Sequence, residues 1–224
     1  MGKRTKSGGK RGPRSRANAQ ANSPGPGAVE PVGLRIVGGT FRGRKLEYSG
    51  LRLTRPMQHR IREAAFNLVG PRVKGMHAVD LFAGTGALGL EAISRGAASA
   101  TFVERHFPTA AGIERNLELL NVRDAGEIAV SDTFIWFERE PELPADRPWA
   151  VFCSPPYDLY FERSAALHNL LTQVAQRAPA GSVILAEFDT RLESTWLPEI
   201  GEWDVRKYGD TLLAMWVKQE LPAD

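Results

Sequence analysis

The chain has 224 residues, a formal net charge of +3, 42% hydrophobic residues and a single cysteine. That length suits one domain with an appendage, or two small domains, and a lone cysteine excludes an intramolecular disulfide. No apolar run reaches the ~18 residues of a membrane helix, and the charged N-terminus lacks an apolar signal core, so a cytoplasmic protein is expected.

Charge is unevenly distributed. Residues 1–33 carry seven Lys/Arg and one acid, Glu30, among Gly, Ser, Pro and Asn. Almost nothing there is apolar, so a disordered basic tail is expected, of the kind that binds nucleic-acid phosphates without reading sequence. Residues 34–74 carry ten Lys/Arg against Glu47 and Glu63, whereas residues 75–224 carry twelve against 23 acids. A basic front on an acidic body points to a polyanionic partner held by the front.

Residues 34–55 read as short strands forming a hairpin, with Leu34, Ile36, Val37, Phe41 and Leu46 interleaved by Arg35, Arg42, Arg44 and Lys45. Pro56 suits the start of a helix over 57–70, whose apolar positions are Ile61, Ala65, Phe66 and Val69. Arg60 and Arg62 fall on its other faces. With Arg55, these arginines are candidates for RNA phosphate contacts, or cover a helix face. Residues 34–74 are thus read as an RNA-contacting extension of the domain over 75–224.

From residue 77 strand and helix patterns alternate. Strands are expected at 77–82, Ala100–Glu104, 127–130, Trp149–Cys153, Ser182–Phe188, Trp203–Tyr208 and Thr211–Val217. Helices are expected at 87–95, from Pro108 to Leu120, around Phe134–Phe137 and at 161–177. Gly209-Asp210 joins the last two strands as a hairpin. The pattern predicts an α/β fold: a mostly parallel, Rossmann-like sheet closed by an antiparallel pair.

Three acids stand at strand ends, where such sheets bind ligands. Asp80 interrupts the apolar run before Gly84-Thr85-Gly86-Ala87-Leu88-Gly89. Buried there, it would bind a hydroxyl or ammonium group, or its own turn amides. Glu104 ends the second strand, where a carboxylate can accept two ribose hydroxyls. Asp132 follows the third, positioned to meet an adenine amino group or to cap the next helix. The glycine turn fits a dinucleotide fingerprint, which leaves NAD, FAD and S-adenosylmethionine open.

Ser154-Pro155-Pro156-Tyr157 chooses among them. Two prolines make a rigid turn after a buried strand. Ser154 Oγ and the Pro155 carbonyl can both accept from one –NH2 group, and the Tyr157 ring can stack on a base. The turn suits an exocyclic amine on a flat heterocycle, which hydride transfer does not need. Four histidines show no metal spacing, so no metal is expected. Cys153, on a buried strand, reads as a core thiol.

Here the chain resembles a known family. Asp80-Leu81-Phe82-Ala83-Gly84-Thr85-Gly86 is similar to the S-adenosylmethionine motif of class I methyltransferases. Ser154–Tyr157 is similar to the Pro-Pro motif of those that methylate base amino groups. Arg35–Gly39, Phe41–Leu46, Thr54-Arg55-Pro56, Arg60–Ala64 and Tyr208–Thr211 resemble the bacterial 16S ribosomal RNA guanine-N2 methyltransferases. The resemblance covers residues 34–217. It implies S-adenosylmethionine as cofactor, held by Asp80, Phe82, Ala83, Gly84, Thr85, Gly86, Glu104 and Asp132. It implies base chemistry at Ser154, Pro155, Pro156 and Tyr157, and ribosomal RNA or the small subunit as partner. Two positions depart from the family pattern: Ser154 replaces the usual Asp, and His59 replaces another. Serine before Pro-Pro is also familiar from cytosine-N4 methyltransferases, so cytosine or adenine amino groups in RNA or DNA are the alternative targets. A binding module keeping a cofactor fold without catalysis is the rival of another class.

Overall fold

The computed structural model describes residues 1–2, 33–48, 57–192 and 194–219. Arg55, Pro56 and nearly all of the basic tail lie outside the described residues. The helices are α1 (His59–Val69), α2 (Ala87–Ser94), α3 (Phe107–Leu119), α4 (Thr133–Glu138), α5 (Leu159–Glu162) and α6 (Ser164–Arg177). The strands are β1 (His77–Asp80), β2 (Ser99–Val103), β3 (Gly126–Ala129), β4 (Trp149–Cys153), β5 (Val183–Asp189), β6 (Asp204–Tyr208) and β7 (Thr211–Val217).

One seven-stranded sheet has the order β3-β2-β1-β4-β5-β7-β6. β1 to β5 are mutually parallel, and β7 runs antiparallel to both β5 and β6. The order reverses between β1 and β4, which makes the carboxyl ends of those strands the ligand-binding crevice of such a sheet.

Each face of the sheet has its own core. Strand alternation sends Val183 and Leu185 of β5 toward α1, α2 and α3, and Ile184, Ala186 and Phe188 toward α5 and α6. The 161–177 helix is broken in two: Arg163, at φ −131°, leaves helical geometry and separates α5 from α6.

Residues 34–46 correct an expectation. In place of two short strands there is a loop closed by one antiparallel bridge, Arg35 to Lys45. Leu34, Ile36 and Leu46 enter the core beside α1 and α2, so docking on the domain, rather than pairing within the hairpin, holds this segment. Glu91 of α2 anchors it. Its carboxylate accepts the Val37 and Gly38 amides, both at 2.7 Å, and is completely buried.

Arg62 requires a second correction. It is 1% exposed, so it offers nothing to RNA. Its guanidinium donates to the Arg35 carbonyl at 2.6 Å and the Met57 carbonyl at 3.2 Å, and its Nε lies 3.8 Å from Glu91. Burial works against the Arg62 charge, and the Glu91 carboxylate offsets it.

Candidate active site

The turn after β1 is built by glycines where other residues would be strained. Gly84 and Gly86 hold φ of 51° and 75°, a left-handed region in which a Cβ is unfavourable. Gly86 caps α2, with its amide donating to the Ala83 carbonyl at 2.7 Å. Gly89, one turn in, lies against the Phe102 ring, which a Cβ there would strike.

Asp80 is 1% exposed at the end of β1. One oxygen accepts the Gly89 amide at 3.1 Å, and the other has no partner. Burial, and after it the nearby Glu104 charge, pushes its carboxyl up to about 7 against the Gly89 bond. A buried carboxylate with one unmet oxygen fits a ligand that brings a cation or a donor. Glu104 stands just past β2. Its oxygens accept the Gly84 amide at 2.8 Å and the His106 amide at 2.7 Å. It therefore fixes the glycine turn, and each oxygen keeps a lone pair for a hydroxyl. Phe82 and Gly84 are half-buried, whereas Ala83, Thr85 and Gly86 are buried.

Asp132 caps α4, accepting the Phe134 amide at 3.0 Å and the Ile135 amide at 3.3 Å. Its second oxygen lies 3.5 Å from Arg163, whose guanidinium covers the Phe134 ring at 3.9 Å. The helix-cap role is thus present, with one oxygen only loosely engaged.

Pro155 is buried, Ser154 and Tyr157 are half-buried, and Pro156 is exposed. The register Cys153 opposite Ala186 brings the residue after β4 beside Glu187 of β5. Ser154 Oγ donates to Glu187 Oε2, and Tyr157 Oη donates to Oε1 at 3.1 Å while lying 3.2 Å from Thr211 Oγ1. Burial raises the Glu187 carboxyl, partly offset by the Ser154 and Tyr157 bonds. The sequence reading missed Glu187. The available signal was one acid inside the apolar run Val183–Phe188, the same signal that marked Asp80. Cys153 is buried and its thiol is pushed up to about 12, chiefly by burial, consistent with a core role.

Among the arginines expected at RNA, Arg42, Arg44 and Arg60 are exposed. Arg44 also donates to the Leu119 carbonyl at 2.9 Å, and Arg60 lies beside Gly209 in the β6–β7 turn. No group of three or more potential metal ligands occurs among the described residues.

Residues 34–217 match the family described as conserved hypothetical protein 95. The chain belongs to that family. One relative is YlbH of Bacillus subtilis (strain 168), provisionally named an rRNA methyltransferase. It is 32% identical over 195 residues, covering 83% of this chain and 100% of YlbH. Ribosomal RNA small subunit methyltransferase D of Escherichia coli (strain K12) is 37% identical over 124 residues, 55% of this chain and 60% of that protein. Among solved structures, Escherichia coli yhhF, provisionally named a methyltransferase, superposes with a TM-score of 0.67 at 26% identity, covering 84% of this chain and 98% of yhhF. The 16S rRNA N2 G1207 methyltransferase of T. thermophilus, solved with AdoMet and guanosine, shares the fold at a TM-score of 0.63 and 20% identity, covering 84% of this chain and 50% of that one. The architecture is therefore the Rossmann-like class I methyltransferase fold.

Proposed function

We propose that this enzyme, an S-adenosylmethionine-dependent rRNA methyltransferase by family, methylates the exocyclic N2 of guanine in small-subunit RNA. The observation that carries the reading is the Ser154-Pro155 turn with Tyr157 beside it, one strand from the Asp80–Gly86 turn. S-adenosylmethionine, when bound, supplies a methyl group made electrophilic by positive sulfur. Asp80 would offer its unmet oxygen to the ligand's ammonium group, Glu104 its free lone pairs to the ribose, and Asp132 its loosely engaged oxygen to the adenine amino group. Phe82, Ala83, Thr85 and the two glycines complete the cradle.

A base amine is a poor nucleophile because its lone pair is delocalised into the ring. Ser154 Oγ and the Pro155 carbonyl accept from that amine and hold it in line with the methyl, where positioning contributes most of the acceleration. The base must be unpaired or flipped to enter, and the Tyr157 ring stacks on it. Tyr157→Ala is expected to lower turnover about tenfold or more, the scale of one base–aromatic stack, with cofactor affinity unchanged. Tyr157→Phe separates the ring from its hydroxyl. A loss of cofactor affinity in Tyr157→Ala would move the ring into the cofactor pocket instead.

Arg42, Arg44 and Arg60 put exposed cations on the N-terminal side, where the chain is most basic. Each phosphate contact contributes roughly 0.7 to 0.9 to the slope of log affinity against log salt. Arg42→Ala with Arg60→Ala should therefore flatten that slope by about 1.5 in RNA binding. An unchanged slope removes them from the interface.

The deciding experiment is methyl transfer from labelled S-adenosylmethionine to unmodified small-subunit RNA and to assembled subunits, with nucleoside analysis. Label in N2-methylguanosine supports this reading. Ser154, which replaces the family's usual Asp, favours one second reading, cytosine N4; label in N4-methylcytidine would establish it. A ribosomal RNA substrate favours a cytoplasmic enzyme as part of this reading. No helix among the described residues is long and apolar enough to cross a membrane.

A further inference from the structure

We infer that Glu187 is a positioning residue for the reaction: through the Ser154 hydroxyl it places, behind the target amine, the negative charge that Ser154 itself lacks. This rests on the reading of Ser154 as an acceptor for that amine.

A serine hydroxyl can turn either way, as donor or as acceptor toward an incoming –NH2 group. Here its hydrogen is committed. Ser154 Oγ donates to Glu187 Oε2, which leaves only lone pairs for the amine. The other carboxylate oxygen is occupied by Tyr157 Oη at 3.1 Å. Two donors from the same Pro-Pro turn converge on one carboxylate that is 8% exposed, and no cation is paired with it among the described ion pairs. Nothing in the packing requires a charge there. Its strand neighbours Ala186 and Phe188 are apolar and completely buried, facing the other side of the sheet.

The charge matters in the step itself. The amine nitrogen forms a bond to the methyl carbon as the carbon–sulfur bond breaks, its electron pair staying on sulfur. Positive charge moves from sulfur to nitrogen. The surplus proton on nitrogen passes to Ser154 Oγ as the Ser154 proton passes to Glu187 Oε2. The neutral Glu187 then returns that proton to solvent. A carboxylate one hydrogen bond back, itself 8% exposed, stabilises the developing positive charge.

Other groups around Glu187 do not supply this charge. Tyr157 is raised above its ordinary range, chiefly by burial, and stays neutral. Tyr160 of α5 donates to the Glu187 carbonyl at 2.6 Å and is held well above its ordinary range by burial. Asp189, two residues on, is paired with Arg191 at 3.0 Å. From the α1 side, Arg60 is directed to the β6–β7 turn.

The test measures single-turnover methylation of small-subunit RNA and subunits against pH for the full chain, with S-adenosylmethionine saturating at every pH so that the Asp80 carboxyl does not set the limb, and with cofactor affinity and melting temperature as controls. Wild type should lose rate as the pH falls through the Glu187 carboxyl, which burial raises from its ordinary value, because the charge is needed. An infrared carboxylate band that disappears in Glu187→Gln should titrate over the same interval in the free protein. Glu187→Gln should be about tenfold slower at pH 8, the scale of one charge-assisted bond, without the acid limb and with unaltered cofactor affinity.

Ser154→Asp alone sets two carboxylates side by side and should also be slower, because like charges at this distance oppose each other's ionisation. Ser154→Asp combined with Glu187→Gln carries the charge directly and should recover most of the wild-type rate. Should Glu187→Gln fail to fold, Ser154→Ala keeps Glu187 but removes its route to the amine: it should be slow and lack the acid limb, and a limb kept in it would overturn the inference. Wild-type rate and limb in Glu187→Gln would overturn the inference. So would a slow Glu187→Gln with its acid limb intact, or a double variant no faster than Glu187→Gln. Nucleoside analysis reads the target separately: a product on another base corrects the proposed target while the profiles still decide Glu187. Absence of methyl transfer by wild type overturns both.

Discussion

Glu91→Ala is expected to destabilise the protein by about 3–5 kcal/mol, the cost of stripping one partner from a buried charge pair. The removed carboxylate has four dependents. Arg62, 1% exposed, loses its opposite charge. The Val37 and Gly38 amides lose their acceptors, and buried unmet donors each add a penalty. Arg95 loses a 2.8 Å bond but is less buried and can turn to water. At this chain length the loss corresponds to roughly 6–20 °C in melting temperature. Denaturant unfolding followed by intrinsic tryptophan fluorescence measures it. The double variant Glu91→Ala with Arg62→Met should recover part of the loss, because an apolar side chain leaves no orphaned cation. A loss below about 1 kcal/mol in the single variant would show that water or side-chain rearrangement replaces Glu91.

The second large effect concerns Asp80. Its carboxyl is pushed up to about 7, so near neutrality it is only partly ionised. The sign for stability follows directly. The folded state keeps a proton that the unfolded chain releases, so stability falls as pH rises from the ordinary value of 3.8 to about 7, then levels off. If Asp80 holds the ligand's ammonium group as proposed, cofactor binding runs the other way, because that contact requires the ionised form. Affinity for S-adenosylmethionine should weaken by up to about tenfold per pH unit below the raised carboxyl. Binding at pH 6 should release close to one proton, read by calorimetry in buffers of differing ionisation enthalpy. Asp80→Asn should bind about 10–100-fold more weakly at pH 8, the range for a hydrogen bond to a charged group. Its binding should show no proton release, and its stability should lack the fall between pH 3.8 and about 7 that the Asp80 carboxyl contributes. Equal proton release by Asp80→Asn would assign the linkage to another group.

Most of the strands were legible because they are short apolar runs between turn residues. Trp149–Cys153 and Thr211–Val217 coincide with β4 and β7, and the others differ by a few residues at their ends. The glycine turn was legible for the same local reason. What escaped depended on partners far along the chain. Arg62 looks like a surface cation on a helix until Glu91, on another helix, is known to be buried beneath it. The segment 34–46 alternates like a hairpin, but its apolar side chains dock on α2, and pairing shrinks to one bridge. Glu187 became visible only through the register of β4 against β5, which sets it beside Ser154.

The anchoring of Val37 and Gly38 by Glu91 also has a consequence for synthesis. These bonds span 54 and 53 residues, so they are long-range contacts that form late. As the chain emerges, Leu34 and Ile36 precede by some fifty residues the helix that will cover them. At translation rates of about 5–20 residues per second, that is a wait of several seconds with apolar side chains in water. The charges interleaved with them, Arg35, Arg42, Arg44 and Lys45, repel neighbouring copies on a polysome during that interval and keep the waiting segment from associating.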